Sequence, residues 1–137
     1  MAMFFNVVVG LKEGLPAGEL MELVKKVAGK NAKVQLASFV KVGPHEDEPL
    51  RLRNMERELE RLAVPLRADG YEVTPHVGLI AVAAAGELLR FASERDADLL
   101  VIGLAKRTRV GKALMGSDAQ RVILGAGCPV LVTRMYE

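Results

Sequence analysis

Residues 103–117, GLAKRTRVGKALMGS, hold Gly103, Gly111 and Gly116 together with Lys106, Arg107, Arg109 and Lys112, and no carboxylate. Glycines let backbone N–H groups come close to an anion, and cations draw one in, so the chemistry on offer is phosphate binding. A Walker A loop is the first form to test, with Gly111-Lys112 as its GK pair. Its first glycine would then fall on Lys106 and its magnesium-binding hydroxyl on Ala113, so the motif fails. A dinucleotide G-x-G-x-x-G is also missing after the first apolar run, where Gly10-Leu11-Lys12-Glu13-Gly14 has the wrong spacing. What remains is a helix start. Ser117-Asp118-Ala119-Gln120 has the form of a capping box with Ser117 as the cap. The backbone N–H groups around Gly116, Ser117 and Asp118 would then open the helix toward an anion.

Little else in the chain carries chemistry. His45 stands among acidic neighbours with no second histidine or cysteine at ligand spacing, so no metal site is expected. His76 reads as a strand-end residue and Cys128 as a small buried core residue. Nucleophile, base and orienting acid occur in no recognisable order, which leaves weak nucleotide hydrolysis as the most that catalysis could amount to. The 137 residues suit one domain over 1–137. A net charge of +2 and 4% aromatics argue against a nucleic-acid partner, and no apolar run is long enough for a membrane span. A single cysteine suits a reducing cytoplasm.

The elements that must position the loop follow from periodicity. Continuous apolar or β-branched runs at 4–10, 33–40, 71–77, 97–104 and 129–133 read as strands. Pro75 puts the third of these at a sheet edge. Helices are expected at 16–29, with Gly29 as the stop, at 45–70, within 80–94 and at 117–127. In the second helix Leu52, Met55, Leu59, Leu62 and Leu66 form the apolar stripe, and Pro65 should weaken the last turn. The alternation predicts an α/β fold: a five-stranded parallel sheet, order 3-2-1-4-5, with helices on both faces. A ligand crevice is then expected where the winding reverses, above Gly10–Lys12 and Gly103–Lys106. Residues 104–115 should form a mobile loop, since four like charges there have no local counter-charge.

Gly103, Lys106, Gly116 and Ser117 fall where the universal stress protein family has its G-x2-G-x9-G-[ST] phosphate loop. The resemblance covers essentially the whole chain and is most specific in GSDAQRVILGAGCPVLVTR at the C-terminal end. It implies a flavodoxin-like domain, with a homodimer joined through the last strand, here Val130, Leu131 and Val132. The apolar, unpaired edge of that strand points the same way. One branch of the family binds ATP, accompanied by magnesium, and another does not. In the binding branch the first two strands hold the nucleoside, with Phe39 or Val40 at the adenine contact. Two positions depart from the pattern: Lys12 replaces the family's aspartate, and Lys106 replaces the second glycine of the loop. Both changes favour an anion and disfavour adenosine recognition. The expected function is that of a small cytoplasmic stress-response protein binding a nucleotide or other phosphate ligand with weakened ATP specificity. The alternative is a protein-interaction member with a degenerate pocket.

Overall fold

Strand β1 (Phe4–Gly10) holds three consecutive valines, and a strand can bury all three only if both of its faces are covered. Val7, Val8 and Val9 are each 0% exposed. Val7 and Val9 enter one core, while Val8 enters a second core on the opposite face. The computed structural model describes residues 3–14, 16–41, 43, 47–81, 83–105 and 116–135. Within them the order is β1, α1 (Gly18–Val27), β2 (Ala28–Lys41), α2 (Glu48–Ala68), β3 (Glu72–Ile80), α3 (Ala84–Glu94), β4 (Leu99–Ala105), α4 (Ser117–Gly125) and β5 (Val130–Met135).

The strands form one sheet, β3-β2-β1-β4-β5, and every pairing is parallel. Leu20, Met21 and Val24 of α1 and Met55, Leu59, Leu62 and Leu66 of α2 fill the first core. Ala85, Leu88, Phe91 and Ala92 of α3 and Val122 of α4 fill the second. Two helices therefore cover each face, as the alternation predicts.

Several boundaries differ from the sequence expectation. Helix α1 stops at Val27, and Gly29 is no helix stop but part of β2. A side chain at Gly29 would stand 2.2 Å from the Phe5 ring, so this glycine makes room for an aromatic lid. Strand β2 thereby begins at Ala28 and not at residue 33. Strand β3 runs on to Ile80, past Gly78, while α3, Ala84–Glu94, lies within the expected 80–94. Pro65 lies inside α2, which continues to Ala68 and starts on an Asp47 side chain that accepts from the Leu50 N–H at 3.0 Å. Cys128 is half-buried against the second core, not fully buried. His45, Arg107, Arg109, Gly111 and Lys112 lie outside the described residues, as does the expected mobile loop from Lys106 on. Leu104 and Ala105 belong to β4.

The N-terminal end of the sheet is closed by side chains. Oδ2 of Asp98 accepts from the Phe5 N–H at 2.9 Å, and Oδ1 accepts from the Asn6 N–H at 3.0 Å. The Asp98 N–H donates in turn to the Asn6 carbonyl at 2.9 Å. Nδ2 of Asn6 donates to the carbonyls of Arg95 at 2.6 Å and Asp96 at 3.0 Å. These bonds fix β1 beside β4 before either strand reaches the opposite end.

Candidate functional site

At the C-terminal end of the sheet, Gly10 pairs with Ala37 of β2 and Ile102 of β4. Beyond this row the Leu11 N–H still donates to the Ala37 carbonyl at 2.8 Å, and then the chain leaves the sheet. The strands diverge there, and a cleft of about 400 Å³ opens between β1, β2, β4 and α4. That volume suits a small ligand. The crevice therefore lies where the winding reverses.

Gly10, Lys12, Gly103, Gly116, Ser117 and Asp118 all line the cleft. The remaining two predicted site residues have different outcomes. Lys106 lies outside the described residues. Val40 does not line the cleft: it is buried in the opposite core with Leu20, Met55 and Leu59. Phe39 lines it instead, because alternate residues of a strand face opposite sides and Phe39 shares the face of Ala37. Both residues are apolar, so local sequence could not choose between them.

The floor is tight. A methyl group at Gly10 would stand 2.6 Å from Cδ2 of Leu88, so a larger residue there would have to push the Leu88 side chain aside. Gly116 is a different case. Its φ of −68° and ψ of 162° suit any residue, and a side chain there would touch nothing among the described residues.

Helix α4 begins one residue earlier than a serine cap would require. Gly116 is the N-cap, Ser117 is the first helical residue, and the N-cap makes no side-chain cap bond among the described residues. The capping role expected of Ser117 is thus not observed. The first intrahelical bond runs from the Gln120 N–H to the Gly116 carbonyl at 3.1 Å. The N–H groups of Ser117, Asp118 and Ala119 precede it and have no intrahelical acceptor. They stand at the cleft with the positive end of the helix dipole, a ready place for an anion. The exposed Asp118 carboxylate opposes this attraction in part.

On the β1 side, Lys12 lines the cleft and also a second opening formed with Asn54, Met55 and Glu58. Glu13 follows it but is already engaged. Its carboxylate accepts from Arg51 of α2 at 2.6 and 3.3 Å, and Nη1 of Arg51 donates to the Lys41 carbonyl at 2.9 Å. The hydrogen-bonded guanidinium holds the Glu13 carboxyl below its ordinary range. Glu13 therefore ties the β1–α1 turn to α2 and the end of β2, and does not stand in for an aspartate at position 12.

Phe39 belongs to a ring cluster with no counterpart in the sequence reading. His76 lies 5.8 Å from Phe39, and Phe91 lies 5.9 Å from it, centroid to centroid. His76 and Phe91 are 4.8 Å apart, and the Arg95 guanidinium sits 3.5 Å over the Phe91 ring. Burial first, and then the Arg95 charge, push the His76 imidazole below its usual value, which favours the neutral ring. His76 is thus no strand-end residue but a mid-strand aromatic. Spacing could not reveal a cluster drawn from three elements; the one local signal was a glycine, Gly78, inside an apolar edge strand.

Among the described residues there is no group of three or more His, Cys, Asp or Glu that could hold a metal ion, and no helix long and apolar enough to cross a membrane. The sequence profile of the Universal stress protein family matches residues 3–134. A universal stress protein of Methanocaldococcus jannaschii is 39% identical over 67 residues, or 49% of this chain and 39% of that relative. The matched stretch is thus less than two thirds of that curated relative's length. Among solved structures, the universal stress protein of Archaeoglobus fulgidus superposes with a TM-score of 0.77 at 25% identity, covering 96% of this chain and 98% of that one. The universal stress protein from Archaeoglobus fulgidus in complex with dAMP gives 0.68 at 22% identity, covering 95% and 98%.

Proposed function

The chain belongs to the universal stress protein family, and on that premise we propose that it is a small stress-response or regulatory protein, one domain over 1–137, whose cleft takes a nucleotide or another phosphate-bearing ligand. The observation that carries this reading is the start of α4, where Ser117, Asp118 and Ala119, whose N–H groups have no intrahelical acceptor, line the cleft behind the N-cap glycine. The phosphates belong there, against Gly116, Ser117 and Asp118, with Gly10 and Gly103 as the close-approach backbone. Lys12, and Lys106 from the loop, would add positive charge. The relative solved with dAMP supports a nucleotide as the occupant. Magnesium, if used, would come with the nucleotide phosphates. We assign the protein no efficient catalysis, and we place it in the cytoplasm on the strength of its unpaired Cys128.

Lys12 sets the specificity in this reading. An ammonium donates hydrogen bonds and accepts none, so it cannot hold a nucleoside hydroxyl or amino group as a carboxylate would. Phosphate recognition then outlasts adenine recognition. In titration calorimetry, ATP and GTP should bind with affinities within about threefold of each other and both should weaken markedly as salt is raised. Tight binding of ATP that excludes GTP and ignores salt would refute the specificity argument. No binding of any phosphate ligand would leave a protein-interaction role for a degenerate pocket.

We also propose a homodimer through β5. This strand pairs with β4 on one side and ends the sheet on the other. Leu124, on the α4 helix that precedes it in the chain, is 85% exposed, an apolar side chain that a second copy would cover. The Leu100 N–H donates to the Pro129 carbonyl. In a parallel ladder the Leu131 N–H then returns to β4, so the Val132 N–H points to the open edge. Val132→Pro should therefore turn the dimer into a monomer by light scattering while leaving the β4–β5 pairing intact. A wild-type monomer at tens of micromolar, a rough working range, would overturn the assignment.

A further inference from the structure

Helix α2 breaks a local rule on its outer face. Met55, Leu59, Leu62 and Leu66 turn one side of it into the first core. On the opposite side Leu50, Arg53, Arg57, Arg61 and Val64 follow at steps of three and four residues, which places them in one stripe, and all five are exposed. Arg53, Arg57 and Arg61 stand at successive i, i+4 positions, a spacing at which like charges destabilise a helix. The helix holds four glutamates beside its five arginines but directs them elsewhere. Glu58 accepts from Arg61 at 2.5 and 3.0 Å on one flank, and Glu60 accepts from Arg67. Among the described residues, neither Arg53 nor Arg57 has an ion pair or a hydrogen bond.

Both ends of the stripe are apolar. Leu50 is 46% exposed and Val64 is 57% exposed. They stand about 21 Å apart along the helix axis, with the arginines between them at intervals of about 6 Å. Arginines between apolar anchors, kept at a cost to the helix that carries them, mark a contact face and not a merely solvated one. The distribution of charge selects the occupant. Exposed Glu56 and Glu60 border the stripe on one side and Glu58 borders it on the other. A nucleic acid or a lipid surface is broader than the stripe and would meet those carboxylates, whereas a single acidic helix fits between them. The outer face of α2 offers no strand edge, so its partner must satisfy its own backbone hydrogen bonds, as a helix does.

We propose that the outer face of α2, centred on Arg57 and ending in Leu50 and Val64, docks an acidic amphipathic helix of another protein. The carboxylates of that helix recur at three and four residues between two apolar anchors, and they pair with Arg53 and Arg57. Among the described residues, none that lines the cleft belongs to α2. Docking therefore leaves the cleft open to its own ligand, and the two sites are tested separately.

The probe is a labelled helical peptide of about 21 residues, roughly 30 Å long, with three glutamates at i, i+4 spacing between two leucines. Fluorescence anisotropy should show the wild type binding this peptide, more weakly as salt is raised, and ignoring the same peptide with lysine in place of glutamate. Arg57→Glu should weaken binding by about tenfold or more, and Leu50→Ser should weaken it several-fold. Lys26→Glu makes the same change in net charge at an exposed position of α1, and should alter binding by less than about twofold. Arg57→Ala should lose affinity several-fold while its melting temperature stays at or above that of the wild type, because repulsion from Arg53 and Arg61 is relieved. A melting temperature several degrees lower would make Arg57 a residue of the fold and overturn the proposal. Equal losses in Lys26→Glu and Arg57→Glu would overturn it too, as would no binding of the acidic peptide at about millimolar concentration. Tighter binding of oligothymidylate or of phosphatidylserine vesicles than of the peptide would also overturn it, and would make the face a site for a broad polyanion.

Discussion

Asp98→Ala is expected to lower the unfolding free energy by about 2–4 kcal/mol, through loss of two charge-assisted hydrogen bonds. The carboxylate accepts from two successive backbone N–H groups, those of Phe5 and Asn6, at the point where β1 enters the sheet. Alanine leaves both donors without an acceptor, and the Asn6 group is part-buried, so water only partly replaces the bond. The Phe5 end is exposed, which keeps the effect from being larger. For a chain of this length the loss corresponds to a fall in melting temperature of roughly 6–15 °C. Asp98→Asn keeps one acceptor oxygen and should lose about half as much. A melting temperature for Asp98→Ala within a degree or so of the wild type would show that the β1–β4 start is held by the strand ladder alone. Ligand affinity should be unchanged in either variant, because the cleft lies at the other end of both strands.

Lys12→Asp is expected to shift the preference of the cleft toward ATP over GTP by about ten- to a hundred-fold, equivalent to roughly 1.5–3 kcal/mol for a hydrogen bond to a charged acceptor. The side chain at position 12 lines the cleft, and Glu13 cannot serve instead because Arg51 holds it. A carboxylate that accepts from the adenine amino group favours ATP, because guanine presents a carbonyl oxygen at the corresponding position and would be repelled. The same substitution removes a cation, so the affinity for pyrophosphate should fall and its salt dependence flatten. If ATP and GTP remain equivalent in Lys12→Asp, position 12 does not face the nucleoside. Position 12 is exposed, so the fold should hold.

The sheet order and the assignment of helices to its faces were legible because β1 and β4 are apolar without alternation, which only a doubly covered strand tolerates. The crevice followed from that order, and the lining by Gly10, Lys12, Gly103, Gly116, Ser117 and Asp118 from the crevice. The α4 cap was misread by one residue. Ser117 through Gln120 fits a capping box, but the pattern does not say where the backbone leaves helical geometry, and Gly116 is where it does. The Phe39 or Val40 alternative depended on the face of β2, a strand of 14 residues whose pairing with β1 shifts register between Phe4 and Asn6. Gly29 read as a helix stop, and Gly78 fell just past the expected end of the third strand at 77. Each instead lies under an aromatic ring, Phe5 over one and Phe39 over the other, and only the folded chain brings those rings there.

The hydrogen bonds of Asp98 and Asn6 close one end of the sheet, while the start of α4 presents at the other end N–H groups that have no intrahelical acceptor. This asymmetry separates what keeps the protein folded from what it recognises. An exposed side chain at position 12, or a glycine at 116 whose backbone would accept any residue, can change at little cost in stability. Ligand preference can therefore drift over evolutionary time on an unchanged scaffold. For protein engineering, the cleft rim is the place to diversify, and Asp98 and Asn6 are the residues to leave alone.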